Sequence, residues 1–179
     1  MSAPVRDPDG ITVHYTHQLN IFHPGTWTYD VHVIGLGSLG SAVAFALVKL
    51  GLKRVKLHLW DADRVEPHNL PCQVIYRRCD IDSRTGVGRH KVEAATEFLG
   101  MFAEPTLEIV PHMEYVTADT PLSGVVIGCV DNMDKGRIPL WEAIQRAITE
   151  DALAVPLYID TRMGGHQVQI FSVNPSDLD

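Results

Sequence analysis

The chain reads as an α/β protein, doubly wound and Rossmann-like, with a mainly parallel sheet. Three observations predict this. An apolar strand at 31–35 runs straight into a G-x-G-x-x-G turn (Gly35, Gly37, Gly40), and a helix rich in Ala, Val and Leu follows over 38–50. Strand and helix patterns then alternate in the order β-α-β-α-β-β-α-β-β. The stretch 124–130 is almost wholly apolar, the mark of a parallel strand covered on both faces.

In chain order, residues 1–30 read as a polar, Pro-containing tail and an irregular lead-in, and 31–179 as one domain. Within the lead-in, 11–15 is a short-strand candidate, His23-Pro24-Gly25 a turn, and Trp27 and Tyr29 are expected to pack on the domain. The helix after the glycine turn closes at Gly51, a favourable C-terminal cap. A second strand at 55–60 places Val55, Leu57 and Leu59 at alternate positions and ends on Asp61. A polar segment follows to about 88. In the next helix, 89–101, Val92, Ala95, Phe98 and Leu99 share a face. A third strand is expected at 107–110, and the apolar 124–130 ends on Asp131-Asn132. A helix at 138–149 precedes a strand at 155–159 ending on Asp160. The last element, 166–173, reads as an edge strand with Val168 and Ile170 on one face and Phe171 on the other.

Composition narrows the function. A length of 179 residues with 45% hydrophobic and 21% charged residues is that of one soluble globular domain. The net charge of −7 argues against nucleic acid or an anionic membrane surface as the main partner. No stretch approaches the length of a membrane span, and residues 1–10 lack the apolar centre of a signal peptide. Cys72, Cys79 and Cys129 have no metal-ligand spacing and are too few for a disulfide scaffold, so a reducing cytoplasm is expected. The histidines are scattered in sequence and predict no metal site.

The chemistry starts at the glycine turn. Gly35 allows a tight turn, Gly37 lets backbone approach a phosphate, and Gly40 lets helix and strand pack closely. The free N–H groups at the helix start favour an anion. Asp61 lies 21 residues beyond Gly40, the spacing of a carboxylate that accepts ribose hydroxyls, a feature shared by NAD and ATP sites. Residues 61–73 then read D-x-D-x-V-E-x-x-N-L-x-x-Q, Gly88 and Lys91 open the next helix, and Asp131-Asn132 follows a buried strand.

These separated motifs resemble the ThiF/MoeB/HesA superfamily, the adenylating domain of ubiquitin-activating enzymes and their bacterial relatives, from about Val31 to Val173. The ending 158–165 is similar to bacterial and phage ThiF-like proteins that occur with ubiquitin-like modification genes. The resemblance implies that Gly35, Gly37 and Gly40 lie under the ATP phosphates and that Asp61 holds the ribose. Asn69, Gln73 and Lys91 would contact the phosphates, with Asp63 and Asn132 in the same cofactor-binding set, and Asp131 would hold Mg2+. The substrate would be the C-terminal glycine carboxylate of a ubiquitin-like protein, giving an acyl-adenylate and pyrophosphate. A homodimer is implied as well. The residues agree with this chemistry: an ionised carboxylate attacking phosphorus needs alignment and charge neutralisation more than acid–base help.

Three departures from the family pattern stand out. Cys72 occupies the arginine position of N-L-x-R-Q; either Arg77, Arg78 or Arg162 supplies that charge or the chain adenylates slowly, and Arg78 and Arg162 join Lys91 and Asp131 as catalytic candidates. Arg137 lies six residues after Asp131, where the pattern D-N-x-x-x-R has five. The chain ends at Asp179, before the crossover loop that carries the thioester cysteine in some members, so a C-terminally incomplete domain is expected.

Plainer readings stand beside each candidate. Lys91 can be a solvated helix residue, Asp131 a helix cap, Asn69 and Gln73 satisfiers of loop backbone, and Arg162 a surface ion-pair residue. Cys72 and Cys79 read as small loop residues rather than nucleophiles, and Cys129 as core. The rival functions are an NAD(P)-dependent oxidoreductase, a degenerate module that binds a ubiquitin-like partner without catalysis, and adenylation of a small molecule or a modified-RNA carboxylate.

Overall fold

A computed structural model describes residues 22–164 and 166–177, together with two short paired strands, β1 (Val5–Arg6) and β2 (Thr12–Val13). The rest of the expected 11–15 strand lies outside the described residues. Of the lead-in, Phe22 and Trp27 pack against the core and Pro24–Thr26 forms a single 3₁₀ turn. Tyr29 departs from expectation: it is exposed, in a T-shaped contact with Trp27, whose indole N–H donates to the Tyr29 carbonyl.

The main sheet is built from β3 (Val31–Ile34), β4 (Lys56–Trp60), β5 (Glu108–His112), β6 (Val125–Gly128), β7 (Leu157–Gly164) and β8 (Gln167–Val173). Their spatial order is β5-β4-β3-β6-β7-β8. The first five are parallel and β8 runs antiparallel to β7. The chain moves outward from β3 to β5, then returns to lay β6 on the other side of β3. That reversal is the switch point of a doubly wound sheet and leaves a crevice at the carboxyl ends of β3 and β6.

Helices α1 (Ser38–Lys49) and α2 (Lys91–Gly100) cover one face, and α3 (Ile138–Glu150) the other. Strand alternation divides the core accordingly. Val31, Val33, Leu57, Leu59, Val125 and Ile127 pack against Ala44 and Val48 of α1 and Val92, Ala95 and Leu99 of α2. Ile34, Val126 and Tyr158 face Leu140, Ala143 and Ile144 of α3. β6 is thus buried on both sides, as its apolar run predicts.

Several boundaries move for identifiable reasons. β5 begins one residue later than expected and reaches His112, because parallel pairing with β4 holds five residues in register, Lys56↔Glu108 through Trp60↔His112. β7 does not stop before Asp160. It continues to Gly164 because β8 pairs with it along that length, from Tyr158↔Val173 to Gly164↔Gln167, so Asp160 sits mid-strand. α3 begins at Ile138 as expected, but a π-helical turn, Met133–Arg137, stands in front of it. A π turn holds one more residue than an α turn. It takes up the one-residue offset that places Arg137 late after Asp131.

Register also gathers rings that are far apart in sequence. His32 stacks on His58 with centroids 4.3 Å apart, and Trp60 stacks on His112 at 3.7 Å. The Trp60 indole N–H donates to His32 Nδ1, and His58 and His112 share a hydrogen bond of 2.9 Å. Burial, then the neighbouring His58 and His112, hold the His32 imidazole neutral, with its pKa lowered to about 3. No cluster of three His, Cys, Asp or Glu side chains suited to an ion occurs among the described residues.

Candidate nucleotide site at the switch point

A cavity of about 660 Å³ occupies the crevice. Its floor is the glycine turn. The Gly35 N–H donates to the Trp60 carbonyl of β4, and the Cys129 N–H donates to the Ile34 carbonyl, so the turn is fixed to both neighbouring strands. Gly35 has φ +89°, a conformation that favours glycine. A Cβ on Gly40 would fall 1.8 Å from the Gly35 carbonyl oxygen, so only glycine lets α1 approach β3 this closely. Gly37 differs: a Cβ there would meet nothing within 4 Å. Protein packing does not demand a glycine at 37, and the space it leaves opens into the cavity. No side chain caps the start of α1, so its first N–H groups are available there.

The peptide groups of the turn are held by side chains from two other segments. The Leu36 N–H donates to Asp61 Oδ2 at 2.7 Å, and the Tyr76 hydroxyl donates to the Leu36 carbonyl at 2.9 Å. Asp61 is buried, and its Oδ1 accepts the Asp63 N–H at 2.8 Å. Burial pushes the Asp61 carboxyl pKa upward, against the pull of Lys91 and these two N–H groups. Lys91, the first residue of α2, turns its buried ammonium toward Asp63 Oδ2 at 3.0 Å and Asp61 Oδ2 at 3.8 Å. The other Asp63 oxygen accepts the Tyr115 hydroxyl at 2.7 Å. Partial burial works upward on Asp63, but the Tyr115 and Lys91 hydrogen bonds prevail and hold its carboxyl below the usual range.

Asn69 and Gln73 line the cavity from the segment after β4. Asn69 is buried and its Oδ1 accepts the Glu66 N–H, a local role of the plainer kind considered above. Gln73 is different: its Oε1 is buried and has no hydrogen-bond partner. As an acceptor, this oxygen would suit a donor on a ligand, such as a hydroxyl or amino group, and not a phosphate oxygen. Cys72 is exposed, with its thiol directed to the His68 and Asn69 carbonyls. Cys129 is half-buried, and burial pushes its thiol pKa up, as suits a packing residue.

The opposite wall comes from β6, the π turn and β7. Asp131 is exposed on the cavity and makes no side-chain hydrogen bond or ion pair among the described residues. Asn132 caps the π turn, its Oδ1 accepting the Lys135 N–H at 2.9 Å. Arg137 reaches Asp160 and donates to the Val130 and Thr161 carbonyls, joining β6 to β7. Arg162 holds the other Asp160 oxygen at 2.7 Å and lies over the Phe171 ring. Arg162 therefore lines the cavity already paired. Arg78 is exposed in a 3₁₀ turn, Arg78–Asp80, and does not line the cavity; its neighbour Arg77 is drawn to Glu97 at 2.7 Å.

The structure thus brings Gly35, Gly37, Asp61, Asp63, Asn69, Gln73, Lys91, Asp131 and Arg162 to one cavity, with Gly40 beneath it. Asn132 stands behind the wall as a cap. Sequence reasoning missed Tyr76, Tyr115 and Lys135. The late Arg137 was a signal for Lys135, since it marks an altered turn. Nothing in the sequence ties Tyr115 to Asp63, 52 residues away.

A doubly wound α/β domain with an open crevice over a glycine turn at its switch point defines the class. The chain belongs to the ThiF family, whose model matches residues 27–151. The catalytic subunit of the Nedd8-activating enzyme E1 of Drosophila melanogaster is 34% identical over 87 residues, which are 49% of this chain and 17% of that protein. Among solved structures, PaaA superposes with a TM-score of 0.59 at 19% identity, over 84% of this chain and 43% of that one. The E. coli tRNA N6-threonylcarbamoyladenosine dehydratase TcdA gives 0.58 at 23% identity, over 79% and 54%. E. coli MccB, in a structure with ATP, gives 0.56 at 18% identity, over 75% and 37%. At these identities the structural likeness speaks for the fold. The chain spans between about a sixth and just over half the length of these relatives.

Proposed function

We propose that this domain activates a carboxylate by adenylation, with ATP as donor and the C-terminal glycine of a ubiquitin-like protein as acceptor. The observation that carries the reading is the open space at Gly37 beside the uncapped start of α1, inside a cavity that also holds Lys91 and the orphaned Gln73 oxygen. A volume of about 660 Å³ suits a nucleotide with an extended peptide end. A carboxylate oxygen would form a bond to the α-phosphorus as the α–β bridging P–O bond breaks, and pyrophosphate would leave with the electron pair. Asp61 would receive the ribose, and Lys91 with the α1 N–H groups would stabilise charge on the α-phosphate. Asp131, a cavity carboxylate without a partner among the described residues, fits a hard cation. Mg2+ there would neutralise the departing pyrophosphate.

The peptide-end acceptor is supported by the E1 relative and by an MccB structure described with AMPCPP and MccA. From the ending 158–165 we infer kinship with bacterial and phage members of the family; a homodimer and a cytoplasmic setting belong to the same reading by family resemblance. Cys72 in the arginine position favours one alternative, a partner-binding domain that holds ATP without turning it over.

ATP–pyrophosphate exchange with candidate ubiquitin-like proteins, in the wild type, Lys91→Ala and Asp131→Ala, tests the reading. Exchange that needs a free C-terminal glycine and falls at least about a hundredfold in both variants is the expected result. ATP binding without exchange would select the partner-binding alternative, and absence of ATP binding would remove the site assignment.

A further inference from the structure

We propose that Lys135, presented by the π turn, is the residue that meets the pyrophosphate end of the nucleotide; this rests on the ATP reading above. The cations on the cavity wall are Lys91, Lys135, Arg137 and Arg162. Three of them are committed. Lys91 lies between Asp63 and Asp61, and Arg137 and Arg162 share Asp160. Lys91 can act on the α-phosphate only from its place between the two aspartates, and Arg137 or Arg162 can turn to a phosphate only by loosening its pair with Asp160. Among the described residues, Lys135 is the one cavity cation with no carboxylate in ion-pair range. Its charge is available to a polyanion at the cost of partial dehydration alone.

The backbone beneath Lys135 is fixed while its side chain is free. Its N–H is held by Asn132 Oδ1 at 2.9 Å. Next to it, Gly136 lies so close to Val130 that a Cβ would come within 2.9 Å of the Val130 Cβ. Two residues on, Arg137 anchors the turn to Val130, Asp160 and Thr161. The extra residue of the π turn thus presents an ammonium from an immobilised platform, on the same wall as Asp131 and across from the start of α1. A triphosphate whose α-phosphate rested on the α1 N–H groups would have Lys135 in the same cavity to meet its β and γ groups. The positive charge that Cys72 does not bring would then come from the π turn.

The test is a ladder of ligands titrated calorimetrically against wild type, Lys135→Gln and Lys135→Arg: adenosine, AMP, ATP and inorganic pyrophosphate, each with Mg2+. Lys135→Gln is expected to weaken ATP and pyrophosphate roughly tenfold, to leave adenosine unchanged and AMP nearly so, and to flatten the salt dependence of ATP binding. Lys135→Arg is expected to restore most of the loss. Lys135 is exposed, so a thermal melt superimposable on that of the wild type is expected for both variants. Unchanged ATP affinity in Lys135→Gln, with wild-type ATP binding intact, overturns this assignment and leaves the ATP reading standing. Equal weakening of adenosine and ATP also overturns it, since Lys135 would then shape the cavity instead of meeting phosphate. A wild type that binds none of the four ligands removes the ATP reading and this inference together.

Discussion

The two walls of the crevice are held by different means. On the wall formed by β3, β4 and the start of α2, the side chains act on backbone: Asp61 and Tyr76 hold the two peptide groups of Leu36, and Asp61 also takes the Asp63 N–H. On the wall formed by β6, the π turn and β7, one carboxylate, Asp160, sits between two guanidinium groups, and the free ends, Asp131 and Lys135, project beyond that clamp. The first wall is shaped so that a ligand meets oriented N–H groups. The second is rigid at its root and adaptable at its tip. The nucleotide site proposed above, holding its ligand while a leaving group departs, would have use for both properties.

The sharpest way to break the comparison lies within the first wall. Gly40→Ala would force a methyl group to 1.8 Å from the Gly35 carbonyl, where backbone meets backbone and neither side can yield. A loss of more than about 4 kcal/mol is expected, read as a lowered or absent denaturation midpoint. Gly37→Ala meets nothing in the protein and is expected to change stability by no more than about 1 kcal/mol. Its methyl would stand in the cavity, so ATP affinity is expected to fall at least about tenfold. If Gly37→Ala binds ATP as the wild type does, the phosphates do not lie over this turn.

The second wall is tested by Asp160→Asn, which leaves Arg137 and Arg162 without their shared charge. The Asp160 and Arg137 side chains are about nine-tenths buried, and removing one partner of such a pair costs roughly 3 kcal/mol. Denaturant unfolding should show that loss, in contrast to the neutral Lys135→Gln on the same wall. A change below about 1 kcal/mol would mean that the clamp is replaceable and that the wall is held by the π turn alone.

The walls were not equally legible in the sequence. The first is local: strand, turn and helix follow one another, glycine marks each close approach, and Asp61 ends the next strand, so spacing alone locates Gly35, Gly37, Gly40 and Asp61. Lys91 is legible from its G-x-x-K spacing after Gly88 together with the family resemblance. The second depends on contacts between distant segments. Arg137 and Asp160 are 23 residues apart and meet only when β6 and β7 lie side by side. Asp160 read as a strand end because the antiparallel partner that prolongs β7 comes later in the chain. The π turn left only a one-residue offset, too small to show that Lys135 would reach the cavity. The histidine column was invisible for the same reason. His32, His58 and His112 look scattered until register places His32 opposite His58 and Trp60 opposite His112.

The smallest expected effect concerns Tyr115, the one part of the first wall held at its exposed edge. Its hydroxyl gives Asp63 a hydrogen bond at 2.7 Å, and that bond, with Lys91, keeps the Asp63 carboxyl ionised to lower pH than usual. A carboxylate with a depressed pKa contributes stability above its unfolded value and loses it as pH falls through its folded one. In Tyr115→Phe the Asp63 midpoint is therefore expected to rise toward the ordinary carboxylate range, followed by carboxyl NMR during an acid titration. Tyr115 is 63% exposed and the Asp63 side chain half exposed, so the accompanying stability change stays within about 1 kcal/mol at neutral pH. Lys91 should remain on Asp63, because the second oxygen is its own partner. A midpoint that does not move would assign the low Asp63 pKa to Lys91 alone. The first wall would then hold its ammonium by the two aspartates without help from the segment after β5.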